Sequence, residues 1–553
     1  MKYNSLRNEG YFLYKKFQIG GFMRNKKLNL FSTVMFGLSA IIGSGWMFGS
    51  SQAAAIAGPA AIVAWIIGAI LVAMIAMVYV EIGTMFPEEG AMSRFTMYTH
   101  GSLLGHIFSW ANWISLLAIL PIEAVASVQY MSTWPWEWAS WTHGFMKGGQ
   151  LSFQGILMAA VMLLIFTFIN FWSVTIMAKF NNFISVLKVV VPIITMIVLV
   201  TAHFDFNNMG SSLSEFMPNG TSSIFVAIGS AGIIYSYVAF QTVINLSNDI
   251  KKPSVNIRRG IILSLLISAL IYIALQIVFI GALPKSIISG GWSQISFNSP
   301  FADLAILLNI YWLSTLVYFT AFISPVGSGI AFASSASKSL SSMPKNKHLP
   351  LFLSNSNNKY NSPRIALFVD LLVSFILILL FKNWSLLSRV VAASTLISLL
   401  SGPVVAGSLR KMGPKLRRPT KIKGMKFLAP VVFDLISLAI YWAMFPTTVE
   451  VIVIIIVGLP IYFVYDYRRG FREFKQKLYA SLWLIVHLIG LSLISWLGGS
   501  AFGGLNLIKY PFDFVLILIF STIMYFWAIH SLYYSGYFDD AKEINATVKL
   551  DEN

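Results

Sequence analysis

Two short runs hold the residues of this 553-residue chain best able to do chemistry. One is Ile41-Ile42-Gly43-Ser44-Gly45; the other, after Gly229 and Gly232, is Tyr235-Ser236-Tyr237-Val238-Ala239. Each sits inside an apolar stretch, near 31–57 and 223–247. Glycine costs helix stability and lets the backbone leave helical geometry. At mid-bilayer such a break is tolerated only where the freed N–H and C=O groups face protein, water or a ligand. A half-helix restarting after Gly45 presents unpaired N–H groups and the positive end of its dipole, a seat for a carboxylate, with the Ser44 hydroxyl as a further donor. Carbonyls exposed where the preceding half-helices end suit an ammonium. Both groups on adjacent atoms describe an α-amino acid. The plainer alternative is that Gly43 and Gly45 only let helices pack closely. Matching breaks in two halves favour the binding site of a secondary transporter.

Two buried charges add to this. Lys188 lies about eight residues into a span near 180–202, roughly 12 Å of helix from its start. An ammonium at that depth must face the bundle interior or release its proton, unless it snorkels to the interface. Glu123 falls in the middle of a span near 104–133, beside Pro121. It could be a protonated structural acid bonded between helices. Glu81, Asp370, Asp434 and Arg389 lie nearer span ends, where interfacial solvation is the cheaper account. Ser324 and Ser328 could instead help to hold sodium, but the Lys188 charge opposes a cation there.

These groups need a membrane scaffold, and the composition supplies one. With 57% hydrophobic and 11% charged residues, the chain is too apolar for a soluble globule. Further spans are expected near 60–86, 153–172, 259–282, 304–338, 365–382, 386–409, 427–446, 448–465, 478–497 and 512–534, fourteen in all with those above. The first is too long for a removable signal peptide. If the helices alternate from a cytoplasmic N-terminus, 33 of the 39 Lys and Arg residues fall in inner loops and tails, and four in outer loops. That is the positive-inside bias. The net charge of +18 thus reports topology and contact with anionic inner-leaflet lipid, not nucleic acid. Both termini are expected in the cytoplasm and the chain in the plasma membrane. Cysteine is absent, which excludes disulfides and thiolate metal sites, and no cofactor or metal site is expected. Within a polar loop at 339–363 the runs 344–348 and 354–362 read as solvated linker, 410–426 is a basic connector, and the tail after Tyr537 reads as disordered.

An ordered series of motifs carries a family resemblance. After the glycine–serine–glycine break come Glu81-Ile82-Gly83-Thr84-Met85-Phe86-Pro87-Glu88-Glu89-Gly90, then Leu120-Pro121-Ile122-Glu123 with Gln129-Tyr130. Asn248-Asp249-Ile250-Lys251-Lys252-Pro253, Lys338-Ser339-Leu340, Leu349-Pro350 and Ser362-Pro363-Arg364 follow. Over about residues 30–410 the chain resembles amino acid permeases of the amino acid–polyamine–organocation superfamily. The resemblance implies the leucine-transporter fold: an all-α polytopic protein with inverted repeats of five helices, 31–202 and 223–410, whose first and sixth helices are discontinuous. A basic tail (1–30), about four added helices (427–534) and a C-terminal tail (535–553) complete the expected organisation.

The resemblance also implies roles. Substrate would be held at Ile41, Ile42, Gly43, Ser44, Gly45, Tyr235, Val238 and Ala239, with the carbonyls of Ile41, Ile42, Tyr235 and Val238 on its ammonium. Tyr235 takes the place of an aromatic gate; ordinary packing is the alternative. In sodium-independent relatives a helix-five lysine points at the position of sodium, so Lys188 becomes the proton-coupling group, with Glu123 matching the family's Pro-x-Glu motif. Two departures stand out. Ala239 and Gln241 replace a common glycine and glutamate, and Trp46 replaces a smaller aliphatic residue.

The expected activity is secondary active transport of amino acids, proton-coupled and sodium-independent, by alternating access. Amino acid/polyamine exchange and sodium symport are the alternatives. Neutral or aromatic substrates are favoured because Glu123 alone could await a cationic side chain; Asn112 and Leu116 are candidate pocket residues. No nucleophile–base set or phosphate loop supports an enzyme, and no repeated filter supports a channel. Oligomeric state is left open.

Overall fold

The computed structural model describes residues 28–548 except 89–91, 93, 173, 246, 248–249, 345–348, 356–361, 469 and 472, and only the backbone of 172 and 174–183. The basic tail to residue 27, Glu89-Gly90, Asn248-Asp249 and most of the 345–361 linker therefore lie outside the described residues.

Helices occupy all fourteen apolar stretches. Among the described residues ten are long and apolar enough to cross a membrane, eleven when the bent pair Ser222–Ser230 and Ile233–Asn245 counts as one span. Leu30–Ile41 and Phe512–Ala528 are shorter apolar helices. The chain is an all-α, multi-pass membrane protein. It suits a solvent of lipid, because Phe168, Leu270, Leu380 and Ile519 are exposed while seryl and threonyl groups are buried.

The first span is Leu30–Ile41 and Gly45–Ala57, the second Ala61–Met85, the third Ser102–Leu117 running on as Ile119–Met131. Phe153–Trp172 and Val174–Ala202 are the fourth and fifth, the bent pair Ser222–Ser230 and Ile233–Asn245 the sixth, Pro253–Ala282 the seventh, Tyr311–Ser342 the eighth. Arg364–Leu380 is the ninth; Trp384–Leu399 and Ser401–Met412 form the tenth. Their packing has an internal symmetry. The first span packs on the sixth, the second on the seventh and the third on the eighth, and the third meets the tenth as the eighth meets the fifth. Those are the contacts expected of two halves related by an axis through the breaks.

Two expectations shift in the structure. The stretch at 304–338 divides, because Asn309 turns the chain at φ 60° and leaves Pro300–Leu307 as a separate helix; asparagine accepts that region more readily than most residues. The tail expected to be disordered forms the helix Gly536–Thr547. Phe538, Ala541 and Asn545 fall on one face and are buried. The Asn545 side chain takes the Arg417 N–H at 2.7 Å and donates to the carbonyls of Arg417 (2.9 Å) and Met85 (3.2 Å). Leu28 bridges Ile250 and Thr420 bonds the Ser254 carbonyl, so both ends of the described chain lie on one face, the terminal face.

Candidate functional site

The break in the first span sets the local chemistry. In an unbroken helix the Gly43 N–H would bond the Ser39 carbonyl. Here it bonds the Ile41 carbonyl at 3.0 Å, which frees the Ser39 oxygen. Lys188 fills that vacancy: its Nζ donates to the Ser39 carbonyl at 3.1 Å and to Ser328 Oγ at 2.5 Å. Its ammonium is buried between the first and eighth spans and does not snorkel.

On the other side of the break, the Ser44 N–H donates to Glu123 Oε1 at 3.2 Å, and the Tyr235 hydroxyl donates to the same oxygen at 2.7 Å. Glu123 arrives there because Ile119–Met131 runs past the break, and because position 43 has no side chain. A Cβ on Gly43 would stand 2.7 Å from Glu123 Oε1 and 3.3 Å from the Tyr235 hydroxyl. Among the described residues Glu123 Oε2 has no hydrogen-bond partner. Buried carboxylate oxygens are normally satisfied, so this one asks for an explanation.

The glycines of the motif thus have separate surroundings. Gly43 faces Glu123, whereas a Cβ on Gly45 would run into Ser236, where the first and sixth spans touch. Ser44 Oγ lies 3.0 Å from the Tyr235 hydroxyl and accepts from Trp384 Nε1 at 3.0 Å. The Ile41 carbonyl accepts from the Tyr272 hydroxyl at 2.9 Å.

A small cavity reaches the break, lined by Ala40, Ile41, Gly43, Tyr235, Val238 and Ala239, and also by Ile119, Glu123, Gln241 and Phe332. Its volume of about 10 Å³ admits one water molecule and no amino acid. Most of its walls come from the terminal-face side of the two breaks. On the far side an aromatic stack closes the path. Trp384 stacks on Phe48 at 4.8 Å and meets the Tyr235 ring edge-on at 6.0 Å, and Tyr130 packs edge-on to Phe48. Beyond it Thr133, Tyr318 and Ser299 form a hydrogen-bonded cap with Asp303, whose carboxylate accepts the Ser299 N–H at 2.9 Å. Burial pushes the Asp303 carboxyl up to about 6, against the opposing pull of the Ser299 N–H and the Tyr318 hydroxyl.

Ile42 and Val238 are buried at the breaks, and Trp46 packs on Phe301 at 5.7 Å, away from the cavity lining. Asn112 bonds Ser339, and neither it nor Leu116 lines the cavity. Ser324 is buried and its Oγ lacks a partner among the described residues. Sequence reasoning missed Ser39, Tyr272 and Trp384. The Asn383 cap at the start of the tenth span was readable, since its side chain accepts the Leu386 N–H, but no local pattern says that the next residue crosses to Ser44.

The family model described as amino acid permease matches residues 28–465. The chain is 44% identical over 522 residues to the glutamate/serine transporter AimA of Bacillus subtilis (strain 168), covering 94% of this chain and 97% of that one. It is 31% identical over 510 residues to the aspartate-proton symporter of the same organism, covering 91% and 96%. The branched-chain amino acid permease BcaP, also from that organism, is 22% identical over 464 residues, covering 80% and 94%.

Proposed function

Because the chain belongs to the amino acid permease family, and is a transporter rather than an enzyme, we propose that it moves amino acids by proton-coupled, sodium-independent alternating access. Serine, glutamate and aspartate are the substrates to try first, since the similar transporters carry those names. This moves the emphasis away from aromatic substrates.

The observation that supports proton coupling most is the seat of Lys188. Its ammonium donates to the Ser39 carbonyl and to Ser328, and so joins the broken first span to the eighth. A sodium ion would want those same oxygens. Two cations cannot share them, so the lysine stands in place of the ion. Loss of its proton weakens the tie between the two spans and lets them part. Substrate would sit at the two breaks, against Ile41, Ile42, Gly43, Ser44, Gly45, Tyr235, Val238 and Ala239, with Tyr235 and Trp384 as the gate on the far side. The halves 31–202 and 223–410 would then rock about that site. In this reading the terminal face is cytoplasmic and the membrane is the plasma membrane, in line with the basic loops on that face.

The test is uptake of radiolabelled serine, glutamate and aspartate into proteoliposomes under a proton gradient, a sodium gradient or neither. Proton-stimulated uptake that Lys188→Ala reduces to the ungradiented level is expected. Stimulation by sodium alone would reject the proposal in favour of symport through Ser324 and Ser328. Exchange with preloaded amino acid and no net uptake in any arm would make it an antiporter.

A further inference from the structure

The break in the first span is satisfied by the protein's own ionisable side chains. The freed carbonyl of Ser39 takes the Lys188 ammonium, and the freed N–H of Ser44 takes the Glu123 carboxylate. These are the two head groups of an amino acid, supplied from the fifth and third spans. Resting on the transport reading above, we propose that Glu123 is an internal stand-in for the substrate carboxylate, which an incoming amino acid must displace from Ser44 N–H.

Four observations converge on this. Glu123 Oε1 occupies the donor pair that a bound carboxylate would use, the Ser44 amide and the Tyr235 hydroxyl. Gly43 leaves the space that lets it reach them, since any Cβ there would collide with Oε1. The other carboxylate oxygen is buried with no partner among the described residues, and Glu123 is one of the residues that line the cavity. The cavity is too small for substrate while Glu123 stays in place.

The charges then dictate the order of events. The titratable groups facing Glu123 are Lys188 from the fifth span, Tyr235 from the sixth and Tyr272 from the seventh. None is acidic, so among the described residues Lys188 is the one charged group facing Glu123, and its ammonium attracts the carboxylate form. A second carboxylate cannot share one amide with an ionised Glu123 in so buried a site. The amino acid therefore enters with a proton that neutralises Glu123. The acid form lets go of the Ser44 amide and leaves it to the substrate. One proton travels with each carboxylate admitted. The substrate class follows: compounds bearing an α-carboxylate compete with Glu123, and amines without one do not.

Serine affinity of the purified full-length protein, measured by scintillation proximity at several pH values, tests this. In wild type the affinity should tighten about tenfold between about pH 8 and about pH 5.5, as the competing carboxylate is titrated away. Glu123→Gln should bind serine at all pH values about as tightly as wild type does in acid, with the slope gone. Glu123→Asp, one methylene shorter, should bind serine more tightly than wild type near pH 8 while keeping a slope, and it serves if the glutamine variant does not fold. Putrescine, as the amine probe, should not displace serine from wild type. A wild-type slope retained in Glu123→Gln overturns the stand-in alone, as does a folded Glu123→Gln that no longer binds serine, which would make Glu123 a direct ligand of the ammonium. Displacement by putrescine overturns it too. No serine, glutamate or aspartate bound or taken up by wild type overturns the transport reading and this inference together.

Discussion

Between Ile41 and Gly45 the first span parts without any residue in the left-handed region, whereas the sixth span turns at Gly232, φ 80°, and bends by 54°. The freed groups of the two breaks are satisfied differently as well. At the first, side chains from the third and fifth spans supply a carboxylate and an ammonium. At the sixth, Gly232 turns the chain and caps the next half-helix, whose first helical bond runs from the Ser236 N–H to the Gly232 carbonyl at 2.9 Å. The first break is therefore a chemical device, open to exchange of its partners. The sixth is a geometric one that aims Tyr235 back across to Ser44 and Glu123. A transporter needs both. A site whose two walls were equally exchangeable would have no fixed wall against which to read its ligand.

Substitutions that respect one break and offend the other should separate the two roles. The largest effect is expected at Gly232. A Cβ there adopts a left-handed backbone and strikes the Trp384 indole. Gly232→Ala should cost about 3 kcal/mol or more and lower the melting temperature and the folded yield together. Should that variant melt like wild type, the sixth break is not the rigid partner described above. The middle effect is expected at Tyr235. Tyr235→Phe keeps the ring against Trp384 but withdraws a donor from Glu123 and a partner from Ser44. Uptake efficiency for serine should drop about tenfold, the loss of roughly one hydrogen bond to a charged group, with the melting temperature nearly unchanged. An equal fall in Tyr235→Phe and Tyr235→Ala would locate the effect in the hydroxyl; a further loss only in the alanine variant would locate it in the ring as a gate.

The same division explains what the sequence disclosed. Glycines at both breaks, a lysine too deep to be free, and Glu123 beside Pro121 were all visible, because each violates the rule that a membrane helix is apolar and continuous. Which groups meet was not visible. Glu123 and Ser44 are 79 positions apart, Lys188 and Ser39 149, Trp384 and Ser44 340; no periodicity encodes such pairs. Composition also misled where the decisive face was small. The helix Gly536–Thr547 in the C-terminal tail buries Phe538, Ala541 and Asn545, too few to raise its hydrophobicity above that of a solvated segment. The split of the eighth span turned on one residue, Asn309, whose left-handed conformation is permitted rather than demanded by its type.

The smallest effect is expected at the far-side cap, which neither break touches directly. Asp303 accepts the N–H of Ser299 at the start of Pro300–Leu307, a helix held on the second half of the first span by Phe301 against Trp46. Its carboxyl stands at about 6 when folded, against 3.8 for a free aspartate, because burial disfavours the charge. The folded state then holds more protons than the unfolded one between about pH 4 and about pH 6, and stability must fall as pH rises through that window. Above it the slope vanishes. Asp303→Asn removes the titration while keeping an acceptor for Ser299, so its melting temperature should vary less between about pH 4 and about pH 6 and match wild type more closely in acid than at neutral pH. Serine affinity at the break should keep its wild-type pH dependence in this variant, because the cap and Glu123 lie on opposite sides of the aromatic stack. If Asp303→Asn instead erased the pH dependence of serine binding, the titrating group that admits substrate would be the cap, and the first break would lose its claim to be the exchangeable one.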